Sequence, residues 1–245
     1  MAVIKFNQPP VSNPDPSLSP CAACSVRDLS ICGVLDETEL QKMAAIAYNM
    51  RFSAQDPIID EGEPAEFLFN ITGGTVRLYK LLPDGRRQIT GFLSSGDFLG
   101  IALNESYAYS AEAVDPVMVC RFPRRKLESL LDEFPHLEKR LLGLASNELA
   151  QAQDQMVLLG RKTAKEKVVS FLLALSRRQE VNGGALTPVA LPMSRSDIAD
   201  YLGLTTETVS RTFSSLKRDQ SIRIEEGGNI ALPDIEALET IAEGF

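Results

Sequence analysis

The chain has 245 residues, 44% hydrophobic and 24% charged, enough apolar material for one large core or two modest ones. Collagen, a coiled-coil rod and a disordered tail are excluded. Lys and Arg number 25 against 33 Asp and Glu, a net charge of −8, which as a whole-chain average argues against a partner as anionic as nucleic acid.

Residues 1–20 hold five prolines separated by Ser and Asn, a composition that reads as a disordered leader. No signal-peptide apolar segment is found there, and no run approaches the roughly 20 apolar residues of a membrane-spanning helix. The expectation is a cytoplasmic protein with no membrane partner. The only histidine, His136, leaves almost no room for a His-based triad or a multi-His metal site. The stretch 36–47 sets Leu40, Met43, Ala44 and Ala47 on one helical face behind an acidic first turn.

From Ile58 the period shortens. Runs at Phe67–Ile71, Val76–Tyr79, Gln88–Leu93, Ala111–Val114 and Val117–Phe122, punctuated by glycines, predict a compact antiparallel barrel or jelly roll. After Pro123 the pattern turns helical. Leu142, Ala145, Leu149, Ala152, Met156 and Leu159 alternate steps of three and four, an a/d stripe. Its polar flanks fit a partner helix along one seam better than burial all round.

Residues 161–223 carry eleven Lys and Arg against six Asp and Glu, a local +5, so the rest of the chain carries −13. Within this stretch Ser194 is an N-cap with Asp197 three residues on; Ile198, Ala199 and Leu202 form a buried face, and Gly203 supplies a tight turn. Thr205 then caps a second helix buried through Val209, Phe213 and Leu216. This is a helix-turn-helix. Thr206, Glu207, Ser210, Arg211 and Ser214 remain on its outer face, where Arg211 can donate twice to guanine and Glu207 can accept from cytosine. The competing reading of that pair is an exposed i,i+4 salt bridge. Ile222–Ile224 and Asn229–Leu232 flank Gly227-Gly228 as an expected wing.

Cys21, Cys24 and Cys32 follow the leader, and Cys120 ends a predicted strand about 90 residues on. Zinc sites usually pair two close motifs. Three clustered thiolates and a remote fourth suit an iron–sulfur cube, with zinc, redox disulfides and unrelated buried cysteines as the alternatives.

These motifs resemble the Crp/Fnr family of bacterial regulators, and within it the oxygen-sensing FNR subgroup, over residues 20–240. The resemblance is carried by Cys-x2-Cys-x7-Cys with Cys120, by Gln88-Ile89-Thr90-Gly91-Phe92, by Gly96-Asp97-Phe98-Leu99-Gly100, by Leu175-Ser176-Arg177-Arg178, and by Tyr201-Leu202-Gly203-Leu204 with Glu207-Thr208-Val209-Ser210-Arg211. The seven-residue gap looks like the alphaproteobacterial-type variant. The implied fold is α+β: a disordered leader (1–20), a cluster-binding segment and cyclic-nucleotide-binding-like β-roll sensor domain (21–135), a long dimerisation helix (136–160) and a C-terminal winged helix-turn-helix (161–245).

The resemblance implies a [4Fe–4S] cluster on Cys21, Cys24, Cys32 and Cys120. It further implies a homodimer seamed by the stripe, and an oxygen-responsive regulator, not an enzyme, of palindromic TTGAT-N4-ATCAA-like double-stranded DNA. Glu207, Ser210 and Arg211, with Thr206, Ser194 and Arg195, form the expected DNA-binding set. Asp84, Gly85 and Arg86 at a hairpin tip are the candidate RNA polymerase contact. Cyclic-nucleotide binders place a Glu and an Arg where this chain has Ile101 and Tyr109, so no cyclic nucleotide is expected; a buried phosphate without its Arg is an uncompensated charge. FNR-type proteins can carry an aspartate on the seam where this chain has Ala152, which predicts a stronger dimer without cluster. Two rivals are the same regulator sensing nitric oxide or zinc at the same thiols, and an iron–sulfur enzyme or electron carrier.

Overall fold

The computed structural model describes Cys21, residues 24–101 and residues 105–244; the expected leader lies outside the described residues. The first helix, α1 (Glu37–Ile46), starts at a capping box between Asp36 and Glu39 and buries Leu40 and Met43. Eight strands follow: β1 (Tyr48–Phe52), β2 (Pro57–Ile59), β3 (Phe67–Gly73), β4 (Val76–Leu81), β5 (Arg87–Leu93), β6 (Phe98–Leu99), β7 (Ser110–Ala113) and β8 (Val117–Pro123). They form two four-stranded sheets in the orders β1-β8-β3-β6 and β2-β7-β4-β5, the β-sandwich of the expected sensor fold. The five strands expected from the β-rich runs are present. Strands β1, β2 and β6 are additional, since charged or short segments such as Tyr48–Phe52 carry little periodic signal.

Helices α2 (Arg124–Glu133), α3 (Pro135–Arg161), α4 (Ala164–Val181), α5 (Arg195–Leu202) and α6 (Thr206–Arg218) come next. The chain ends with β9 (Arg223–Ile224), β10 (Ile230–Ala231) and α7 (Ile235–Glu243).

Contacts divide the chain into two units, Met1–Arg77 with Phe92–Ala145, and Leu78–Gly91 with Ser146–Phe245. The first has two apolar layers. Phe52, Ile59, Phe69, Ile71, Val117 and Val119 are buried along the strands. On the opposite face of β3 and β8, Leu68 and Phe122 join Ile31, Leu35, Met43, Phe98 and Leu127 in a second core beside α1 and α2.

The second unit is built on α4, whose Val168, Val169, Phe171, Leu172 and Leu173 are buried and which packs on α6 and α7. The division is not contiguous. The segment Leu78–Gly91 groups with the C-terminal unit, where Arg87 Nη2 donates to Asp197 Oδ1 and Asp200 Oδ2, both at 2.8 Å. Gln88 Nε2 donates to the Asp200 carbonyl at 2.7 Å.

Candidate nucleic-acid interface and cysteine site

The helix-turn-helix forms by local chemistry. Ser194 accepts from Asp197 N–H at 3.1 Å while Asp197 Oδ2 accepts from Ser194 N–H at 3.1 Å, closing a capping box at the start of α5. Gly203 ends α5 in the left-handed region with φ +61°, and Thr205 caps α6 by accepting from Thr208 N–H at 3.1 Å. Val209, Phe213 and Leu216 are buried. One side of α6 is thereby committed to the core, and Thr206, Glu207, Ser210, Arg211 and Ser214 are left exposed on the other.

Glu207 and Arg211 form an i,i+4 ion pair with side chains 71% and 75% exposed. Such a pair contributes only ~0.2–0.5 kcal/mol, so both groups can exchange partners for base edges at little cost. Ser194 and Arg195 stand differently. The Ser194 hydroxyl is engaged by Asp197, and the Arg195 guanidinium lies 3.5 Å from the Phe213 ring centroid, its pKa lowered by burial. Ser194 caps α5 and Arg195 stacks on Phe213 of α6, so neither stands on the outer face of that helix. The wing is a two-stranded antiparallel hairpin pairing Ile230 with Ile224.

Along α3, Leu142, Leu149 and Met156 are 69%, 61% and 70% exposed. Ala152 is exposed as well, while Ala145 and Leu159 are half-buried. An exposed apolar line of this length marks an interaction surface. Asp84, Gly85 and Arg86 lie between β4 and β5 in a turn closed by Leu82 N–H to Arg86 O at 2.8 Å, and Asp84 accepts from Arg86 Nε at 2.8 Å.

The four cysteines come together in the first unit. Cys32 lies in a 3₁₀ turn (Ile31–Val34) capped by Ser30, whose Oγ accepts from Cys32 N–H at 3.1 Å. Arg140 fixes this loop by donating to the carbonyls of Leu29 and Ser30 at 3.0 and 3.3 Å. Gly33 is required there, because a Cβ would stand 2.9 Å from the Asp28 carbonyl oxygen.

Cys21, Cys32 and Cys120 pack against the same apolar core. Burial pushes the Cys120 thiol up to about 12, and the neighbouring Cys21, Cys24 and Cys32 add to the rise. Burial does the same to Cys32, again to about 12, opposed by the Ser30 hydrogen bond. Cys120 is thus within electrostatic reach of the other three thiols, and Cys32 of Cys21 and Cys24. Among the described residues no three His, Cys, Asp or Glu side chains converge closely enough to hold a single metal ion.

The donor chemistry suits a polynuclear iron–sulfur cluster rather than a single ion. Four sulfur ligands and an apolar wall are what such a group uses, and the apolar wall resists charge on unligated thiols. Sequence reasoning missed Ser30 and Arg140, which support the loop, and two amides beside Cys120, Asn49 and Asn70. Asn70 had a signal, as the polar interruption of Phe67-Leu68-Phe69-Asn70-Ile71.

Where a nucleotide-binding relative would need Glu and Arg, Ile101 packs against the apolar core and the Tyr109 hydroxyl accepts from Gly100 N–H at 3.1 Å.

Comparison with known proteins adds the following. Residues 166–241 match the Crp-like helix-turn-helix domain and residues 49–134 the cyclic nucleotide-binding domain. A nitrogen fixation regulation protein FixK of Bradyrhizobium diazoefficiens is 46% identical, covering 91% of this chain and 93% of the relative. The transcriptional activator protein FnrL of Cereibacter sphaeroides is 36% identical, covering 89% and 90%. The structure of FixK2 from Bradyrhizobium japonicum superposes with a TM-score of 0.74 at 39% identity, covering 80% of this chain and 96% of that one.

Proposed function

This chain belongs to the Crp/Fnr family of transcription regulators, DNA-binding proteins and not enzymes, and we propose that it governs anaerobic and microaerobic genes in response to oxygen. The names of its relatives support that setting, including FixK, FnrL and the fumarate and nitrate reduction regulatory protein of Salmonella typhi, which is 32% identical over 91% of this chain. The observation that carries the oxygen reading is that Cys120 lies within electrostatic reach of Cys21, Cys24 and Cys32, with Cys21, Cys32 and Cys120 packed on one apolar wall.

Cys21, Cys24, Cys32 and Cys120 would hold a [4Fe–4S] cluster, which supplies an oxygen-labile inorganic core tying four thiolates together. The chain's own residues do the rest. Ser30 and Arg140 hold the Cys21–Cys32 loop to α3, so a change in that loop bears on the helix carrying the exposed stripe. Family members are usually dimeric. A homodimer seamed by Leu142, Ala145, Leu149, Ala152, Met156 and Leu159 would present two recognition helices to a palindrome. Linking two weak half-site contacts raises overall affinity through effective concentration.

Glu207, Ser210 and Arg211, beside Thr206, would read a TTGAT-N4-ATCAA-like site in double-stranded DNA, and the Asp84–Arg86 turn would meet RNA polymerase. Ile101 and Tyr109 speak against cyclic-nucleotide control, since neither side chain can pair a ribose hydroxyl and a phosphate as Glu and Arg do.

Anaerobic purification tests the reading. The expected protein is brown, holds about four irons per chain and bleaches in air. A colourless zinc protein overturns it, and a chromophore that responds to nitric oxide but not to air reassigns the signal.

A further inference from the structure

Strand β8 places Cys120 between two asparagines. In the antiparallel ladders Cys120 pairs directly with Asn49 of β1 and with Asn70 of β3. Directly opposed residues share a sheet face with Cβ atoms ~4.5–5.5 Å apart, so both amides flank the sulfur on its own face. The Cys120 thiol donates to Asn49 Oδ1 at 3.3 Å.

Asn70 is the anomaly. The alternation of β3 puts it on the face of Leu68, which packs with Phe98, Phe122 and Leu127, where an apolar side chain would be expected. It is only 2% exposed, and among the described residues its Oδ1 has no hydrogen-bond partner. An orphaned buried amide costs free energy that an apolar residue would not, so its presence beside a cysteine calls for a function.

We propose that Asn49 and Asn70 are positioning residues that hold the Cys120 sulfur from both sides and donate N–H···S bonds to it in the cluster-loaded protein. This rests on Cys120 being a cluster ligand. An iron-bound thiolate carries no proton, so Asn49 Oδ1 loses its donor on ligation. The amide torsion is broad and roughly two-fold, and turning it presents Nδ2–H to the sulfur instead. For Asn70 the same turn breaks no bond at Oδ1, because none is made there. Hydrogen bonds to ligand sulfurs favour the electron-rich state and raise the cluster's reduction potential.

The test is an anaerobic redox titration of the full-length protein beside Asn49→Ala, Asn70→Leu and Asn70→Ala, with iron counts and resonance Raman of the Fe–S(Cys) stretches. Each variant should keep wild-type iron content, shift the Fe–S(Cys) bands and lower the equilibrium constant for one-electron reduction about tenfold, a potential more negative by about 59 mV. Wild-type potentials and bands in iron-loaded variants at both positions overturn the inference while leaving the cluster reading intact. A wild-type protein without an iron–sulfur chromophore sinks both. Should Asn70→Leu misfold, Asn70→Ala and the exposed edge-strand variant Asn49→Ala decide.

Discussion

Among the described residues Arg211 pairs with Glu207 in a solvated ion pair, so its removal costs the fold little and DNA specificity much. A bidentate guanine contact is worth ~1–3 kcal/mol, roughly 5- to 150-fold. Arg211→Ala should therefore lose footprinting on a TTGAT palindrome while the visible absorbance of the loaded protein stays unchanged; a retained footprint would refute the assigned reading helix. Asp197 is the opposite kind of residue. It is 4% exposed, closes the α5 capping box and pairs with Arg87. Asp197→Ala should destabilise the protein by about 1–3 kcal/mol, read as a lower midpoint in thermal or urea unfolding.

Among elements, the turn between α5 and α6 depends on one glycine. Gly203 has φ +61°, and a Cβ there would meet Leu159 Cδ2 at 3.3 Å. Gly203→Ala should cost about 1–2 kcal/mol from the left-handed backbone alone, measurable by denaturation. For α3, the exposed Leu149 and Met156 gain only by meeting a partner. Leu149→Glu should yield a monomer by light scattering, since like charges would face each other across a seam. Ala152 brings no charge to that seam, so the air-exposed wild-type protein should remain largely dimeric. A cleanly monomeric form without cluster would contradict this.

For the whole molecule, charge partition decides how DNA is met. The +5 of residues 161–223 sits within a chain of −8. Local cations supply salt-sensitive, sequence-independent affinity, and the acidic remainder keeps it low in a lone subunit. With several phosphates contacted per dimer, affinity should fall roughly a thousandfold between 50 and 200 mM salt, as anisotropy titration would show. A flat salt response would mean that residues 161–223 do not face phosphates.

The helix-turn-helix, the stripe on α3 and the five β-rich runs were legible in the sequence because each rests on local physics. Caps, a left-handed glycine and a period of 3.6 or 2 act over a few residues. The cysteine spacing likewise marked out the four thiols, whose ligand role is the reading proposed above. Long-range pairing was not legible. Only the ladders of β8 reveal that Asn49 and Asn70 flank Cys120, that Arg140 reaches back to the Leu29–Ser30 carbonyls, and that Arg87 joins Leu78–Gly91 to α5. These contacts span about 50 to 110 residues of chain. No local preference encodes which partners such separated residues will meet; strand register and burial of the apolar faces decide it.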